Sequence, residues 1–207
     1  MTSIYLIRHG ENEYVGKGKL AGWLPGVRLN ENGRKQARAV AELFREVKLK
    51  AVYASPLERT METARPLAEA QKLEIIEAPG IGEVQYGAWQ GKSLKVLRKR
   101  KLWSVIQNTP SLARFPEGES FPEAQARAVA EIEKFRSKHR GKKDAIAFVS
   151  HSDVIKLIVA HYLGLPLDLF QRLHIAPASI TAFWIDDQRS RLIYLNDMRA
   201  SRAAKSE

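Results

Sequence analysis

Two short apolar stretches, far apart in the chain, each run directly into a histidine. The first, Ile4–Ile7, is followed by Arg8-His9-Gly10. The second, Ala145–Val149, is followed by Ser150-His151-Ser152. In an open α/β sheet the carboxyl ends of the strands face the crevice where ligands bind. A guanidinium and two imidazoles at such an edge indicate an anionic ligand with a nucleophile or base, so we expect both histidines in one site.

The elements that position these residues alternate between short β-rich runs and longer helical patterns, which indicates an α/β fold. The expected strands are Ile4–Ile7, Ala51–Ala54, a weaker one near Leu73–Ile76, Ala145–Val149, and a closing hairpin of Ile180–Ile185 and Arg191–Leu195. The expected helices run from an Asn30 cap to about Lys48, from a Ser55 cap to about Ala70, from a Ser120–Glu123 capping box to about His139, and from Asp153 to Leu163. We therefore predict a three-layer α/β/α sandwich with a mostly parallel central sheet.

One region breaks this alternation. Residues 79–118 contain a glycine-rich turn, one basic helix at about Ser93–Ile106, and the loop Pro110–Gly118. We expect this region to be a small helical cap inserted over the site. The prediction for the whole chain is one domain over residues 1–198 followed by a basic, disordered tail over residues 199–207.

Composition limits the functional classes. The chain has 207 residues, enough for one sizeable core, and it contains no cysteine, which excludes disulfides and thiolate ligands. No apolar run approaches the roughly 20 residues that span a bilayer, and no signal peptide is evident. We expect a cytoplasmic protein with no membrane partner. Whether it forms a homodimer stays open.

The formal net charge is +11, and six of the ten residues in Lys92–Lys101 are basic. Three explanations are open for this basic segment: a solvated helix face, a nucleic-acid surface, or a positive field that steers small phosphorylated molecules. No nucleic-acid module is recognisable and aromatic residues are not interleaved with the basic run, so we expect no nucleic-acid partner.

Four motifs occur in order along nearly the whole chain. They are Arg8-His9-Gly10-Glu11, the stretch Ser55-Pro56-Leu57-Glu58-Arg59-Thr60-Met61-Glu62-Thr63-Ala64, Glu83 followed by Tyr86-Gly87-Ala88-Trp89-Gln90-Gly91, and Ser150-His151. The first triplet alone is a weak signal, but the four together are very specific. The chain resembles the histidine phosphatase (phosphoglycerate mutase-like) superfamily.

This resemblance implies the catalytic roles. His9 becomes the nucleophile that forms a phosphohistidine, and His151 becomes a donor to the phosphoryl group. Arg8 and Arg59 can offer forked donors to phosphate oxygens, and Arg59 lies near a helix N-terminus that favours anions. Because these groups neutralise the phosphate, we expect no metal and no cofactor.

The proton donor is harder to select from the residues. Spacing does not choose among several carboxyls: Glu11, Glu13, Glu77, Glu83, Glu117 and Glu119. The resemblance assigns the role to Glu83, and we expect Glu11 to hold the site arginines. The predicted substrate contacts are Asn12, Gly22, Trp23, Tyr86 and Ser152.

Several positions depart from the family pattern. Asn12 stands where serine or threonine is usual, Val15 where asparagine is frequent, and Ser152-Asp153 where a glycine pair is frequent. In the mutases that the chain resembles, an arginine follows the acid and grips the substrate. Here Val84 follows Glu83, and a neutral side chain cannot make that contact. We therefore favour a metal-independent phosphomonoester hydrolase that acts on a small phosphorylated metabolite, with a cofactor-dependent mutase as the alternative and a non-catalytic phospho-ligand binding domain as a distant third.

Overall fold

A computed structural model describes residues 1–141 and 143–204 of the chain. Within that part, six strands form one sheet in the order β3-β2-β4-β1-β5-β6. They are β1 (Thr2–Arg8), β2 (Ala51–Ala54), β3 (Ile75–Glu77), β4 (Ala145–Ser150), β5 (Ile180–Ile185) and β6 (Ser190–Asp197). The first four are mutually parallel, whereas β5 is antiparallel to β1 and β6 to β5. The predicted closing hairpin is thus the antiparallel edge of the sheet.

Helices cover both faces of this sheet. In the described residues they are α1 (Glu13–Gly16), α2 (Glu31–Leu43), α3 (Glu58–Gln71), α4 (Leu94–Leu97), α5 (Lys101–Asn108), α6 (Phe121–Arg136), α7 (Ser152–Leu163) and α8 (Arg199–Ala203). No helix in the described part of the chain has both the length and the apolar character needed to cross a membrane.

The alternation of side chains along β1 explains the three layers. Ile4 and Leu6 are buried against α6 and α7 on one face, whereas Ile7 is buried against α2 and α3 on the other. A strand turns successive side chains to opposite faces, so both faces of a central strand must be apolar when both are covered. The predicted α/β/α sandwich is confirmed.

The register of β1 against β4 brings the two predicted motifs together. Arg8 pairs with Ser150 across the parallel ladder, and the backbone amide of His9 donates to the carbonyl of Ser150 at 3.0 Å. Both strands therefore end side by side, and the histidine that follows each strand faces the same crevice.

Helix boundaries follow the capping signals with two corrections. Asn30 caps α2 by accepting from the amide of Gly33 at 2.8 Å, and Ser120 and Glu123 form the predicted capping box. Helix α2, however, ends at Leu43 rather than near Lys48. The Ser55 cap was wrong: α3 begins at Glu58 with Leu57 as its N-cap, because the Ser55 hydroxyl contacts His151 instead.

The predicted basic helix is two helices, α4 and α5. The chain between them is extended at Arg100. This break lets Leu97 of α4 and Ile106 of α5 both reach the apolar core, which one straight helix of that length would not allow. The cap is therefore a folded structure that packs on the core.

The disordered tail predicted for 199–207 is corrected for its first residues. Arg199–Ala203 form α8, in which Ala200 and Ser201 are buried. Ala200 joins the apolar cluster of α2 and α3, and Gln36 of α2 donates to the Ser201 hydroxyl at 3.4 Å. Small residues that can pack against α2 thus order this segment. Residues 205–207 of the predicted tail lie outside the described part of the chain.

Candidate active site

His9 is held as a neutral imidazole. Its Nδ1 lies 2.7 Å from the carbonyl oxygen of Gly10, and because a carbonyl only accepts, Nδ1 carries the proton and Nε2 keeps a free lone pair. Burial, then Arg59 and Arg8, lower the pKa of His9 well below its usual value. An uncharged imidazole with a free nitrogen is the form that attacks phosphorus.

The turn after His9 depends on glycine. A Cβ on Gly10 would lie 2.6 Å from the carbonyl oxygen of Gly33 at the start of α2, so a larger residue would push the turn away. The Gly10 amide also donates to the Thr63 hydroxyl at 3.0 Å, and that hydroxyl donates to the carbonyl of Arg59. The nucleophile is thereby tied to the helix that carries the second arginine.

Two buried guanidinium groups flank His9 and keep unused donors. Arg8 donates through Nη1 to the carbonyl of Ile175 at 2.6 Å, and Arg59 donates through Nη2 to the carbonyl of Gly22 at 2.8 Å. Among residues 1–141 and 143–204, the Nε of Arg8 and both Nε and Nη1 of Arg59 are buried and find no hydrogen-bond partner. Buried donors are rarely left unpaired, so their presence here indicates an anion-binding site.

His151 is oriented from both sides. Its Nδ1 lies 3.2 Å from Nη2 of Arg59 and its Nε2 lies 2.8 Å from the hydroxyl of Ser55. Because a guanidinium only donates, Nδ1 accepts and Nε2 donates to Ser55. Burial and then Arg59 lower the pKa of His151 well below its usual value. The sequence analysis treated Ser55 only as a helix cap and missed this contact.

Glu83 has the environment of a general acid. Its Oε1 accepts from the amide of Val84 at 3.0 Å, and its Oε2 lies 3.8 Å from Nδ1 of His151. Burial, with Asp153 adding to it, raises the pKa of Glu83 to about 7, while Arg59 and Arg8 act in the opposite direction. Near neutral pH this carboxyl can both give and take a proton.

Arg127 of α6 holds the backbone that carries Glu83. It donates to the carbonyl oxygens of Gly80, Gly82 and Glu83 at 2.6, 2.9 and 2.9 Å. The Glu119 carboxylate accepts from the same guanidinium through both oxygens, at 2.9 and 2.6 Å. Sequence reasoning missed Arg127, because no local pattern relates it to a segment more than forty positions away.

Two of the alternative carboxyls, Glu11 and Glu119, are already engaged. Glu119 pairs with Arg127, as described. The expectation that Glu11 holds the site arginines was wrong: its carboxylate accepts from the side chains of Asn30 and Asn32 at 2.8 and 3.0 Å. Glu11 thus ties the loop after Gly10 to the beginning of α2, since that helix start packs directly beneath the loop.

The predicted substrate contacts divide into two groups. Asn12, Tyr86 and Ser152 line the cavity beside His9. The Nδ2 of Asn12 is buried without a partner, so it is a further free donor. Gly22 and Trp23 instead form hydrogen bonds that hold residues of the site. The carbonyl of Gly22 accepts from Arg59, and the indole Nε1 of Trp23 donates to the carbonyl of Glu83 at 2.5 Å.

A carboxylate that the sequence analysis did not select also faces the cavity. Asp153 accepts from the Tyr86 hydroxyl at 2.9 Å and from Nζ of Lys156 at 3.1 Å. It occupies a position that departs from the family pattern, and that departure was the available signal. Through its charge, Asp153 contributes to the raised pKa of Glu83.

The cavity has a volume of about 570 Å³ and extends from His9 to the cap. Its polar floor contains Arg8, His9, Asn12, Arg59, Glu83, Tyr86, Ser152 and Asp153, and cap residues line its opposite side. Within residues 1–141 and 143–204, no group of three or more His, Asp or Glu side chains is arranged to hold a metal ion. Arg8 and Arg59 bring positive charge to the floor of the cavity.

A comparison with known families decides the identity of this site. The model of the histidine phosphatase superfamily (branch 1) matches residues 4–198. The chain belongs to the histidine phosphatase superfamily. The resemblance to this superfamily that the four sequence motifs indicated is therefore confirmed.

Individual relatives of this histidine phosphatase include both activity classes. Phosphoserine phosphatase 1 of Hydrogenobacter thermophilus is 29% identical over 95% of this chain and 92% of that protein. The protein named "Probable phosphoglycerate mutase GpmB" of Photorhabdus laumondii is 31% identical over 92% of this chain and 87% of that protein. Among solved structures, Bacillus stearothermophilus YhfR superposes with a TM-score of 0.90 at 25% identity, covering 97% of this chain and 100% of that one. The predicted phosphatase class is confirmed, and mutase-like proteins are also among the relatives.

Proposed function

We propose that this chain hydrolyses phosphomonoesters through a phosphohistidine at His9. The observation that carries the proposal is the group of unpartnered buried donors on Arg8, Arg59 and Asn12 around the free Nε2 side of a neutral histidine. Phosphoryl transfer needs an aligned nucleophile and donors for the equatorial oxygens, and these residues supply both.

In the first step, Nε2 of His9 forms a bond to phosphorus while the ester P–O bond breaks. Oxygens of the phosphoryl group accept from the free donors of Arg8 and Arg59. The leaving alkoxide takes the proton of Glu83, which becomes a carboxylate. His151 stays neutral beside His9, with Nδ1 accepting from Arg59 and the Ser55 hydroxyl holding the ring in place.

In the second step, a water molecule attacks phosphorus and gives its proton to the Glu83 carboxylate. The bond between phosphorus and Nε2 breaks, inorganic phosphate leaves, and His9 is neutral again. The raised pKa of Glu83, about 7, suits both directions of this proton transfer. The same carboxyl therefore serves as acid and then as base.

The mutase alternative replaces water by the hydroxyl of a second substrate. It needs a firm grip on the carboxylate of phosphoglycerate, whereas Val84 beside Glu83 is apolar and fully buried. Asp153 adds a negative charge on the same side of the cavity. These two residues support the hydrolase over the mutase. A cytoplasmic location, the absence of nucleic-acid and membrane partners, and the oligomeric state stay predictions.

The test is a single-turnover reaction stopped without acid and mapped by mass spectrometry. We expect an acid-labile phosphate on the peptide that contains His9 in the wild type and none in His9→Ala. The matched control is His161→Ala, an exposed histidine of α7, which should label normally. Phosphate on the peptide containing His151 would reverse the assigned roles. Incubation with 3-phosphoglycerate and a bisphosphoglycerate primer should release inorganic phosphate; formation of 2-phosphoglycerate instead would establish the mutase.

A further inference from the structure

We infer that the preferred substrate is the phosphate ester of a bulky, mainly apolar alcohol rather than of serine or glycerate. This inference rests on the proposed hydrolysis at His9. Opposite the polar floor, the cavity is lined by apolar side chains that the reaction does not use: Leu20, Trp89, Leu94, Trp103, Ile106 and Phe115. A phosphoserine-sized molecule would leave most of the 570 Å³ empty.

The apolar wall is a preformed surface. Leu20, Leu94 and Trp103 are partly exposed and present apolar area to the cavity. Trp89, Ile106 and Phe115, only 5%, 4% and 2% exposed, are already packed and support the wall. Trp89 stacks on Trp103 with ring centroids 6.4 Å apart and lies edge-on to Phe115 at 5.5 Å. Side chains held by such contacts lose little freedom when a ligand binds, so the apolar area that they offer contributes directly to affinity.

The charges of the cavity disfavour a carboxylate beside the ester. Asp153 lies on the floor, and the nearby ammonium of Lys156 is already shared between Asp153 at 3.1 Å and Gln171 at 3.2 Å. Two further cations, Lys19 and Arg98, line the cavity but are solvent-exposed residues. The guanidinium of Arg98 lies 5.9 Å from the centre of the Trp103 ring, so it extends the aromatic surface.

The size of the expected preference follows from the area buried. Each methylene that moves from water to an apolar wall contributes about fourfold to kcat/KM, given the free energy of burying one such group. Four added methylenes therefore correspond to about 10²-fold when they are fully buried. The leaving alcohols of a linear series have nearly the same basicity, so the chemical step does not obscure the comparison.

The experiment measures kcat/KM for ethyl, butyl and hexyl phosphate, phosphoserine and 3-phosphoglycerate. For the wild type we expect a rise of about 10–10²-fold from ethyl to hexyl phosphate, with the two carboxylates no better than ethyl phosphate. Equal kcat/KM values for ethyl, butyl and hexyl phosphate, or a higher kcat/KM for phosphoserine than for hexyl phosphate, would overturn the inference while leaving hydrolysis intact. Absence of hydrolysis of every ester, with no phosphohistidine, would instead contradict the proposed function.

Substitutions in the apolar wall test whether it causes the preference for longer alkyl phosphates. Trp103→Ala and, separately, Ile106→Ala should lower the hexyl-to-ethyl ratio several-fold. The ratio is measured within each variant, so a lower fraction of folded enzyme does not affect it. The matched control is Trp184→Ala, a half-exposed tryptophan of β5, which should keep the wild-type ratio. If all three variants keep the wild-type hexyl-to-ethyl ratio, the selectivity arises elsewhere and the proposed role of this wall is refuted.

Discussion

The floor and the cap of the cavity are built in different ways. On the floor, Arg59 and His151 are almost completely buried; Arg59 donates to the carbonyl of Gly22, and His151 bonds to the Ser55 hydroxyl just after β2. In the cap, two short helices bury only Leu97 and Ile106 and present lysines and arginines to solvent. Burial changes the pKa values of floor groups, while the cap offers shape and a diffuse charge. We therefore expect the floor to determine the reaction and the cap to determine which ester reacts.

The largest effect should follow removal of the nucleophile from the floor. His9→Ala leaves no atom to accept the phosphoryl group, so we expect turnover to fall by about 10⁴–10⁶-fold. Thermal unfolding should change little by comparison, because within the described part of the chain the His9 side chain makes a single hydrogen bond, to Gly10. Steady-state phosphate release and a melting curve measure the two quantities. Retention of more than a tenth of the activity would mean that the floor does not perform the chemistry.

Glu83→Gln should produce the next largest effect, and its size should depend on the leaving group. An alkyl alkoxide needs a proton, so phosphorylation of His9 by an alkyl phosphate should slow by about 10²–10⁴-fold. p-Nitrophenolate is a weak base and needs the proton much less. With that ester, attack of water should become limiting and phosphohistidine should accumulate. Equal losses on both esters without a trapped intermediate would assign proton transfer to another carboxyl.

The pH dependence tests the same residue without mutation. Burial and Asp153 raise the pKa of Glu83 to about 7, and its acid form is present below that pH and lost above it. We therefore expect kcat/KM for an alkyl phosphate to fall as the pH rises through 7, with a weaker fall for the aryl ester. Asp153→Asn removes one cause of the raised pKa, so the break should move to lower pH. The control is the pH profile of Glu83→Gln. Residue 83 does not ionise in this variant, so any remaining pH dependence comes from the substrate and other groups.

Substitution of Arg127, which joins the loop of Glu83 to α6, should have an intermediate effect on kcat. Arg127→Ala removes the donors to Gly80, Gly82 and Glu83, so the acid should lose its alignment. We expect kcat for alkyl phosphates to fall by about 10–10²-fold, with a smaller loss for the aryl ester and a shifted pH break.

The control for this prediction is Arg136→Ala on the same helix, which breaks an ion pair with Glu133 away from the loop. Arg127→Lys should recover part of the activity. Urea unfolding should show a loss of about 1–3 kcal/mol for Arg127→Ala, because the buried Glu119 carboxylate loses its guanidinium partner, while its Oε1 keeps the amide of Gln85. A uniform loss on alkyl and aryl esters, with an unchanged pH profile, would assign Arg127 a purely structural role.

The smallest effect should come from the charge of the cap. Lys95→Glu with Lys99→Glu reverses two exposed charges that do not line the cavity. We expect kcat/KM for a dianionic ester to fall only about two- to fivefold at low salt and to match the wild type at high salt, with kcat unchanged. Lys48→Glu with Lys50→Glu, two exposed residues that precede β2 at the opposite end of the sheet, is the matched control. A salt-independent loss would indicate that the cap charges contact the substrate directly.

Local sequence determined much of this protein. The alternation of Ile4, Leu6 and Ile7 determined a strand covered on both faces, and the Ser120–Glu123 pair determined where α6 begins. The motifs around His9 and His151 pointed to two rings whose centroids lie 5.3 Å apart in the fold. These features depend on neighbours within a few positions, so a pattern in the chain is enough to predict them.

Only the tertiary structure decided how those groups are controlled. Ser55 became the partner of His151 instead of a helix cap, and Arg127 became the support of the Glu83 loop, across 96 and 44 positions of the chain respectively. The Glu11 carboxylate accepts from Asn30, the N-cap of α2, and Ala200 packs in the apolar cluster formed with α2 and α3. Hydrogen bonds and burial between distant segments arise only when the chain folds. A raised pKa such as that of Glu83 has the same origin, because it depends on which groups exclude water from the carboxyl.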